Sequence, residues 1–201
     1  MEKSILPIRT LLGGAAIVAV AGLIGCLGRS PPAEFFLLEP AHRAGSGERP
    51  AGPVIALGPV RIPEYLDRPE IVTAKGRNAY RIDDRHLWAE RLDDNIARVL
   101  ARDIEALTPA RQVLTGLSER GPAVDFRVAV TLLEFHVEPE GKALLTAQWA
   151  IRRGNDTVLS RVTSLRAEAS TQDYGRMVAA LNDCVNGLGR AIAEALRGLT
   201  G

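Results

Sequence analysis

The residues whose chemistry could define a site in this 201-residue chain are two cysteines, three histidines and the adjacent carboxylates Asp83 and Asp84. His42, His86 and His136 are scattered, and none lies at metal-ligand spacing from cysteine or carboxylate partners. The sequence also lacks a P-loop, a G-x-S-x-G motif and a complete G-x-G-x-x-G motif. We therefore expect a protein that is not an enzyme and that binds neither a metal nor a diffusible cofactor.

Cys26 ends a segment that is typical of a secreted bacterial lipoprotein. Lys3 and Arg9 form a short basic region, and residues 11–25 form an uncharged apolar run that is shorter than the roughly 20 residues of a membrane-spanning helix. The run ends in Leu23-Ile24-Gly25-Cys26, which matches the lipobox pattern. We predict cleavage before Cys26, a diacylglycerol on its thiol and a further acyl chain on its amine, because two or three chains anchor firmly where one is marginal. The alternative is an uncleaved inner-membrane anchor.

The predicted organisation is therefore a lipoprotein signal peptide over 1–25, an acylated tether over 26–34 and one domain over 35–201. Leu27 follows the lipobox cysteine. By the usual sorting convention for such lipoproteins, the absence of Asp at that position favours the periplasmic face of the outer membrane.

The other candidate groups have structural interpretations. Asp83 and Asp84 resemble a carboxylate pair, but one of them capping the helix predicted to follow is the simpler interpretation. Cys184 lies on the apolar stripe of another predicted helix, which favours a small core residue over a nucleophile. With Cys26 acylated, Cys184 would have no disulfide partner.

The charge balance argues against a nucleic-acid partner. Removing residues 1–25 takes away Lys3, Arg9 and Glu2 and leaves 23 basic and 23 acidic side chains, with no basic block among them. Aromatic residues make up only 4% of the chain, too few for a base-stacking platform.

The candidate residues must be positioned by two predicted helices and a sheet. Apolar residues recur at steps of three and four from Trp88 to Leu107 and from Tyr174 to about Leu199, and each series predicts an amphipathic helix. The first helix would have Asp103 on its solvated face, and Gly187 and Gly189 would weaken the second unless it packs closely on the sheet.

Short strands with turn signals fill the remaining chain. We predict strands at 35–38, 54–60, 71–75, 78–82 and 112–115, with Gly76-Arg77 as a hairpin turn. Alternating apolar residues from Val124 to Ala167 indicate an antiparallel meander, in which a change of phase at Leu132-Leu133 predicts a bulge. The expected fold is a single α+β domain, a mainly antiparallel sheet with two long helices packed on one face.

A rigid loop bounded by Pro63 and Pro69 is the candidate partner-binding site, and it contains Tyr65, Leu66, Asp67 and Arg68. Apolar groups on a loop would suit contact with a partner subunit or a lipid. The alternative is a turn whose Tyr65 and Leu66 fold back onto the core.

The sequence resembles the PqiC-like family, the ABC-type transport auxiliary lipoproteins. The resemblance is carried by the lipobox, Phe35-Phe36-Leu37-Leu38, Gly58-Pro59-Val60, Pro63 to Val72, Trp88-Ala89-Glu90 with Leu92, the Gly141 turn, Leu145-Thr146-Ala147-Gln148-Trp149 and the terminal helix. One departure is Arg91, where the family commonly has Pro.

The resemblance implies a non-catalytic accessory subunit on the outer membrane. Such a subunit would work with an ABC-type system, dock an MCE-domain protein that arrives from the inner membrane, and help to move lipids and maintain the envelope. A ring-like homo-oligomer would suit that docking. The alternative is a stand-alone periplasmic lipoprotein that holds a hydrophobic ligand between its sheet and its helices.

Overall fold

The computed structural model of the chain describes residues 32–42, 51–115 and 123–200. Cys26, the predicted signal segment and most of the predicted tether lie outside these ranges. The described elements belong to one unit over 33–201. In chain order they are β1 (Glu34–Phe36), β2 (Val54–Arg61), β3 (Glu70–Gly76), β4 (Ala79–Trp88), α1 (Leu92–Leu107), β5 (Gln112–Thr115), β6 (Phe126–Val137), β7 (Lys142–Arg153), β8 (Asp156–Glu168) and α2 (Tyr174–Thr200).

The eight strands form one sheet organised around β6. Along one edge β6 pairs antiparallel with β7, which pairs antiparallel with β8. The other edge of β6 is shared, because β2 pairs in parallel with its first half and β3 meets Val137 at its end. β5 lies beyond β2, and β4 and then β1 lie beyond β3. The α+β class and the antiparallel meander are confirmed. The sheet is mixed where a mainly antiparallel one was expected, because β1 pairs in parallel with β4, β3 with β6, and β2 with both β5 and β6.

Both helices pack on one face of this sheet, α2 against β6–β8 and α1 against β2 and β5, and the two helices also contact each other. The alternating residues of β6 and β7 supply the core beneath them, with Phe135 and Trp149 among the largest fully buried side chains. Burying each such side chain contributes about 1.5–3 kcal/mol. The predicted bulge is confirmed, since the β6–β7 register shifts between Leu132 and Glu134.

The start of α1 was predicted wrongly. Asp83 and Asp84 lie within β4, which continues to Trp88, and the helix begins at Leu92 after Arg91. Parallel pairing with β1, which matches Phe36 to Trp88, keeps this segment extended. Asp83 does not cap the helix; its Oδ1 accepts the backbone N–H of Arg85 at 3.0 Å. Trp88 is nevertheless a core residue, as expected.

The hairpin between β3 and β4 is confirmed with its turn one residue later than predicted. The turn residues are Arg77 and Asn78, and Asn78 has a φ of 63°. Asn tolerates this left-handed conformation better than most side chains do, which explains why the turn centres there.

The two glycines of α2 mark close approaches, as their position in the helix suggested. A Cβ on Gly187 would lie 3.1 Å from Leu165 Cδ1 of β8, and one on Gly189 would lie 3.1 Å from the Asp103 Cβ of α1. Gly187 thus faces the sheet, whereas Gly189 lets the two helices meet.

Replacing Gly189 with Leu should lower the free energy of unfolding by about 1–3 kcal/mol, because the new side chain must displace Asp103 or the helix. The matched control is Gly198→Leu in the same helix, where a Cβ meets nothing within 4 Å. That control should be neutral or slightly stabilising, since Leu is the better helix former. Urea unfolding of both variants measures the difference, and equal stabilities would contradict the close approach.

Candidate functional site

The segment Leu38–His42, which follows β1, is held by side chains of both helices; we call this arrangement the N-terminal clamp. Pro40 has no N–H, and each of the other four backbone N–H groups donates to a side-chain oxygen. The pairs are Leu38 to Asn95 Oδ1 at 2.8 Å, Glu39 to Asn182 Oδ1 at 2.8 Å, Ala41 to Asn186 Oδ1 at 3.3 Å and His42 to Asp103 Oδ1 at 3.0 Å. The chain next to the predicted tether is therefore bonded directly to the helix pair.

Three clamp residues, Asn95, Asp103 and Asn186, are buried. Asn95 also donates to the Leu38 carbonyl at 3.0 Å, so its amide satisfies both backbone groups of that residue. Asp103, expected on the solvated face of α1, is fully buried instead. Burial raises the pKa of the Asp103 carboxyl, while the N–H and ring of His42 act in the opposite direction. Its contact with the N-terminal segment explains why a carboxylate is tolerated there.

The predicted partner loop forms a 3-10 turn over Glu64–Leu66 followed by two exposed residues. Leu66 is buried, and half-buried Tyr65 packs against the core, so both follow the alternative in which they fold inward. Asp67 and Arg68 are exposed. Binding of a partner through this loop stays a prediction, with the exposed groups now restricted to its second half.

A surface groove of about 370 Å³ lies beside Asp67 and Arg68 and reaches Trp88 and Arg91. Arg91 Nη2 is 3.6 Å from Asp67 Oδ1 and 2.9 Å from Asp93 Oδ2. Arg91, which stands where the family that the sequence resembles commonly has Pro, thus links the loop to the first turn of α1. The pairing is exposed, so its contribution to stability is small.

The exposed large apolar side chains of the described chain are all on strands or directly beside one. They are Phe35, Leu37, Tyr80, Ile82, Leu133, Val158 and Val162. On β8, Leu165 points to α2, so Val162 points to the opposite side of the sheet. We call this surface, away from both helices, the open sheet face.

The centre of the open sheet face carries no charge. In the β6–β7–β8 register, Ala129 is paired with Ala150 and then Ser160, and the next outward row is Thr131, Gln148 and Val162. Leu133, at the bulge, extends the row and is 45% exposed. Sequence analysis did not single out these residues. The signal that could have done so is that two successive outward rows of three adjacent strands are uncharged, while the neighbouring rows carry Arg127 with Arg152 on one side and Glu134 on the other.

Tyr65, Tyr80 and His136 join the loop to this face. Tyr65 stacks on Tyr80 with ring centroids 4.8 Å apart, and Tyr80 meets His136 edge-on at 5.5 Å. Burial raises the pKa of Tyr65 to about 12 and lowers the pKa of His136, against the opposing influence of Glu134 and Glu138. The His136 ring is therefore held neutral beneath an exposed tyrosine.

The remaining titratable groups offer little for chemistry. Cys184 is buried, and burial raises its pKa to about 11, which disfavours the nucleophilic thiolate. In residues 32–42, 51–115 and 123–200, no three His, Cys, Asp or Glu side chains converge as a metal site would require. Within those same ranges, neither helix combines the length and the apolar character needed to span a bilayer.

The model of one protein family, described as "ABC-type transport auxiliary lipoprotein component", matches residues 35–193. The chain belongs to this family. The match extends from β1 into α2 and so includes the clamp, the partner loop and the open sheet face. An auxiliary lipoprotein of ABC-type transport is attached to a membrane and assists a transporter. No curated protein is significantly similar in sequence.

Solved structures support the fold. An uncharacterized protein with 18% identity superposes with a TM-score of 0.68 over 83% of this chain and 99% of its own. A DUF330 protein from Xanthomonas campestris, at 14% identity, gives the same TM-score over 82% of this chain and 95% of its own. The PelC dodecamer from Paraburkholderia phytofirmans covers 74% of this chain and 91% of its own at 10% identity, but its TM-score of 0.42 supports no argument here.

Replacing Asn95 with Ala should destabilise this auxiliary lipoprotein by about 1–3 kcal/mol, because the buried N–H of Leu38 loses its partner and its carbonyl keeps only Arg98 Nη2 at 3.3 Å. Asn182→Ala, which removes one exposed clamp bond, should cost less than about 1 kcal/mol. Chemical denaturation compares the two. A clamp that is dispensable would give similar small losses for both variants.

The lowered pKa of His136 predicts a pH dependence. Protonation is harder in the folded than in the unfolded chain, so this contribution to stability is present above the ordinary pKa of 6.5 and is lost as the pH falls below it. His136→Gln should therefore lose less stability than the wild type between about pH 7.5 and about pH 5.5. Denaturation midpoints at the two pH values test this, and parallel losses would exclude a buried neutral ring.

Proposed function

We propose that the chain is an outer-membrane lipoprotein, anchored through acylated Cys26 at the periplasmic face, that docks the MCE-domain component of an ABC-type lipid transport system. The open sheet face and the neighbouring Tyr65–Arg68 loop form the docking surface in this proposal. Leu27 after the lipobox cysteine supports the choice of membrane.

The observation that carries the proposal is the position of the exposed apolar side chains. A soluble domain tolerates single exposed apolar residues, but a set that shares one sheet face with an uncharged centre is typical of an interaction surface. Tyr80, Leu133 and Val162 are 45%, 45% and 64% exposed. Asp67 and Arg68, beside this face, would supply the charged rim that fixes orientation.

The alternative function, storage of a hydrophobic ligand, needs an open apolar chamber between the sheet and the helices. The side chains in that layer form one buried cluster that contains Phe135, Trp149 and the inward residues of both helices. The better-formed cavities of the described chain are surface grooves, the largest of about 630 and 620 Å³. This arrangement favours a docking subunit. A homo-oligomer remains compatible with it, because a ring would repeat the docking face.

Photo-crosslinking in intact cells tests the docking surface. A benzophenone amino acid at Val162 or Leu133 should crosslink an MCE-domain protein, identified by mass spectrometry of the purified adduct. The same probe at Arg190, exposed on α2, is the control and should give little or no adduct. Val162→Glu should reduce the adduct formed from Leu133 several-fold, because a carboxylate would lose its hydration on docking.

Adducts that form equally well from Arg190, or none from the sheet positions despite a co-purifying MCE protein, would disprove this surface. Recovery of the lipoprotein alone, with non-covalent lipid bound, would favour the storage function instead. Cys26→Ala provides the anchoring control, since the variant should leave the membrane fraction.

A further inference from the structure

We propose that the open sheet face is divided between two occupants, and that its anchored edge, Phe35 and Leu37, inserts into the surface of the bilayer that holds Cys26. The inference rests on the acylation of Cys26 given in the proposed function, and it adds a membrane contact that the lipid chains alone do not provide. The occupant of Phe35 and Leu37 is the bilayer, and that of Leu133 and Val162 is the protein partner.

Phe35 and Leu37 are presented in a fixed orientation. Phe35 is 65% exposed and Leu37 is 40% exposed, whereas the alternate residue Leu38 is fully buried. Pairing of β1 with β4 fixes the backbone at Phe35, and the N-terminal clamp fixes the backbone from Leu38 onward. The side chains of Phe35 and Leu37 lie outside the core, but hydrogen bonds on both sides fix the backbone that carries them.

The length of the predicted tether limits how far this edge can move from the membrane. Eight residue steps separate Cys26 from Glu34, and a fully extended chain covers at most about 28 Å over that length. Pro31 and Pro32 reduce its freedom further. The anchor therefore allows Phe35 to reach the headgroups, where apolar side chains insert favourably.

The opposite edge of the sheet is far enough from Phe35 that it need not touch the same bilayer. From β1 to β8 the strand order is β1, β4, β3, β6, β7 and β8, a separation of about 24 Å at ordinary strand spacing. Exposed Glu34 and Glu39 bound the apolar edge on its two sides, since a carboxylate stays in water. A sheet tilted on its anchored edge would keep Val162 in the periplasm for the partner.

Spin labelling of the full acylated protein tests the division. In a Cys184→Ser background, single labels at Phe35→Cys and at Val162→Cys are compared after reconstitution into phosphatidylethanolamine–phosphatidylglycerol vesicles. Both native side chains are exposed, so neither variant should disturb folding, and circular dichroism checks this. Collision rates with oxygen, which concentrates in the bilayer, and with a water-soluble nickel chelate report the depth of each label.

The expected result is a label at 35 that collides several-fold less with nickel than the label at 162 does, with the reverse order for oxygen. Two aqueous labels would overturn the inference and leave the docking proposal intact. Two immersed labels would overturn both, because the whole face would then lie on lipid. Mass spectrometry that finds Cys26 unacylated would also overturn it, by removing the tether.

Discussion

The rest of this structure depends on one constraint: two helices cover only one face of an eight-stranded sheet. A sheet buries its apolar residues against a second layer, and α1 and α2 provide that layer on one side. The opposite side has no second layer within the described chain, so its residues must be compatible with water and with whatever meets the sheet. The uncharged rows through Ala129 and Thr131 meet both conditions, because small and uncharged polar side chains are compatible with water and cost less to bury than charged ones do.

The clamp connects this two-layer domain to its membrane attachment. Strand β1 is three residues long, and such a short edge strand holds little by itself. Asn95, Asn186 and Asp103 extend the attachment into the helix interface, where three polar side chains replace what would otherwise be apolar contacts. A pull on the N-terminus is thus resisted by the helix pair as well as by the sheet edge. If the chain is anchored and docks a transporter component as proposed, this resistance is a reason to accept the cost of buried polar groups.

Local patterns predicted much of the fold, and contacts between distant residues account for the errors. The meander, the bulge at Leu132 and both amphipathic helices follow from periodicity. The extension of β4 to Trp88 does not, because it depends on pairing with Phe36 more than fifty residues earlier. The same holds for Asp103, whose burial is explained by the backbone of His42, 61 residues away. The open sheet face was the least accessible to sequence reasoning, since a strand pattern shows which side is polar but not which side is covered.

The outer edge of β8 is the other feature that invites association, and the structure guards it differently. This strand has 13 residues and only β7 beside it among the described strands. A bulge between Thr157 and Leu159 interrupts its regular register, and Arg161 and Arg166 place charges along it. Bulges and charges are the devices by which natural sheets discourage edge-to-edge pairing. The flat centre of the sheet carries neither device at Val162 and Ala150, so association is directed to the face and away from the edge. An oligomer of this chain would then have to leave that face free, or share it with the transporter component that the chain serves.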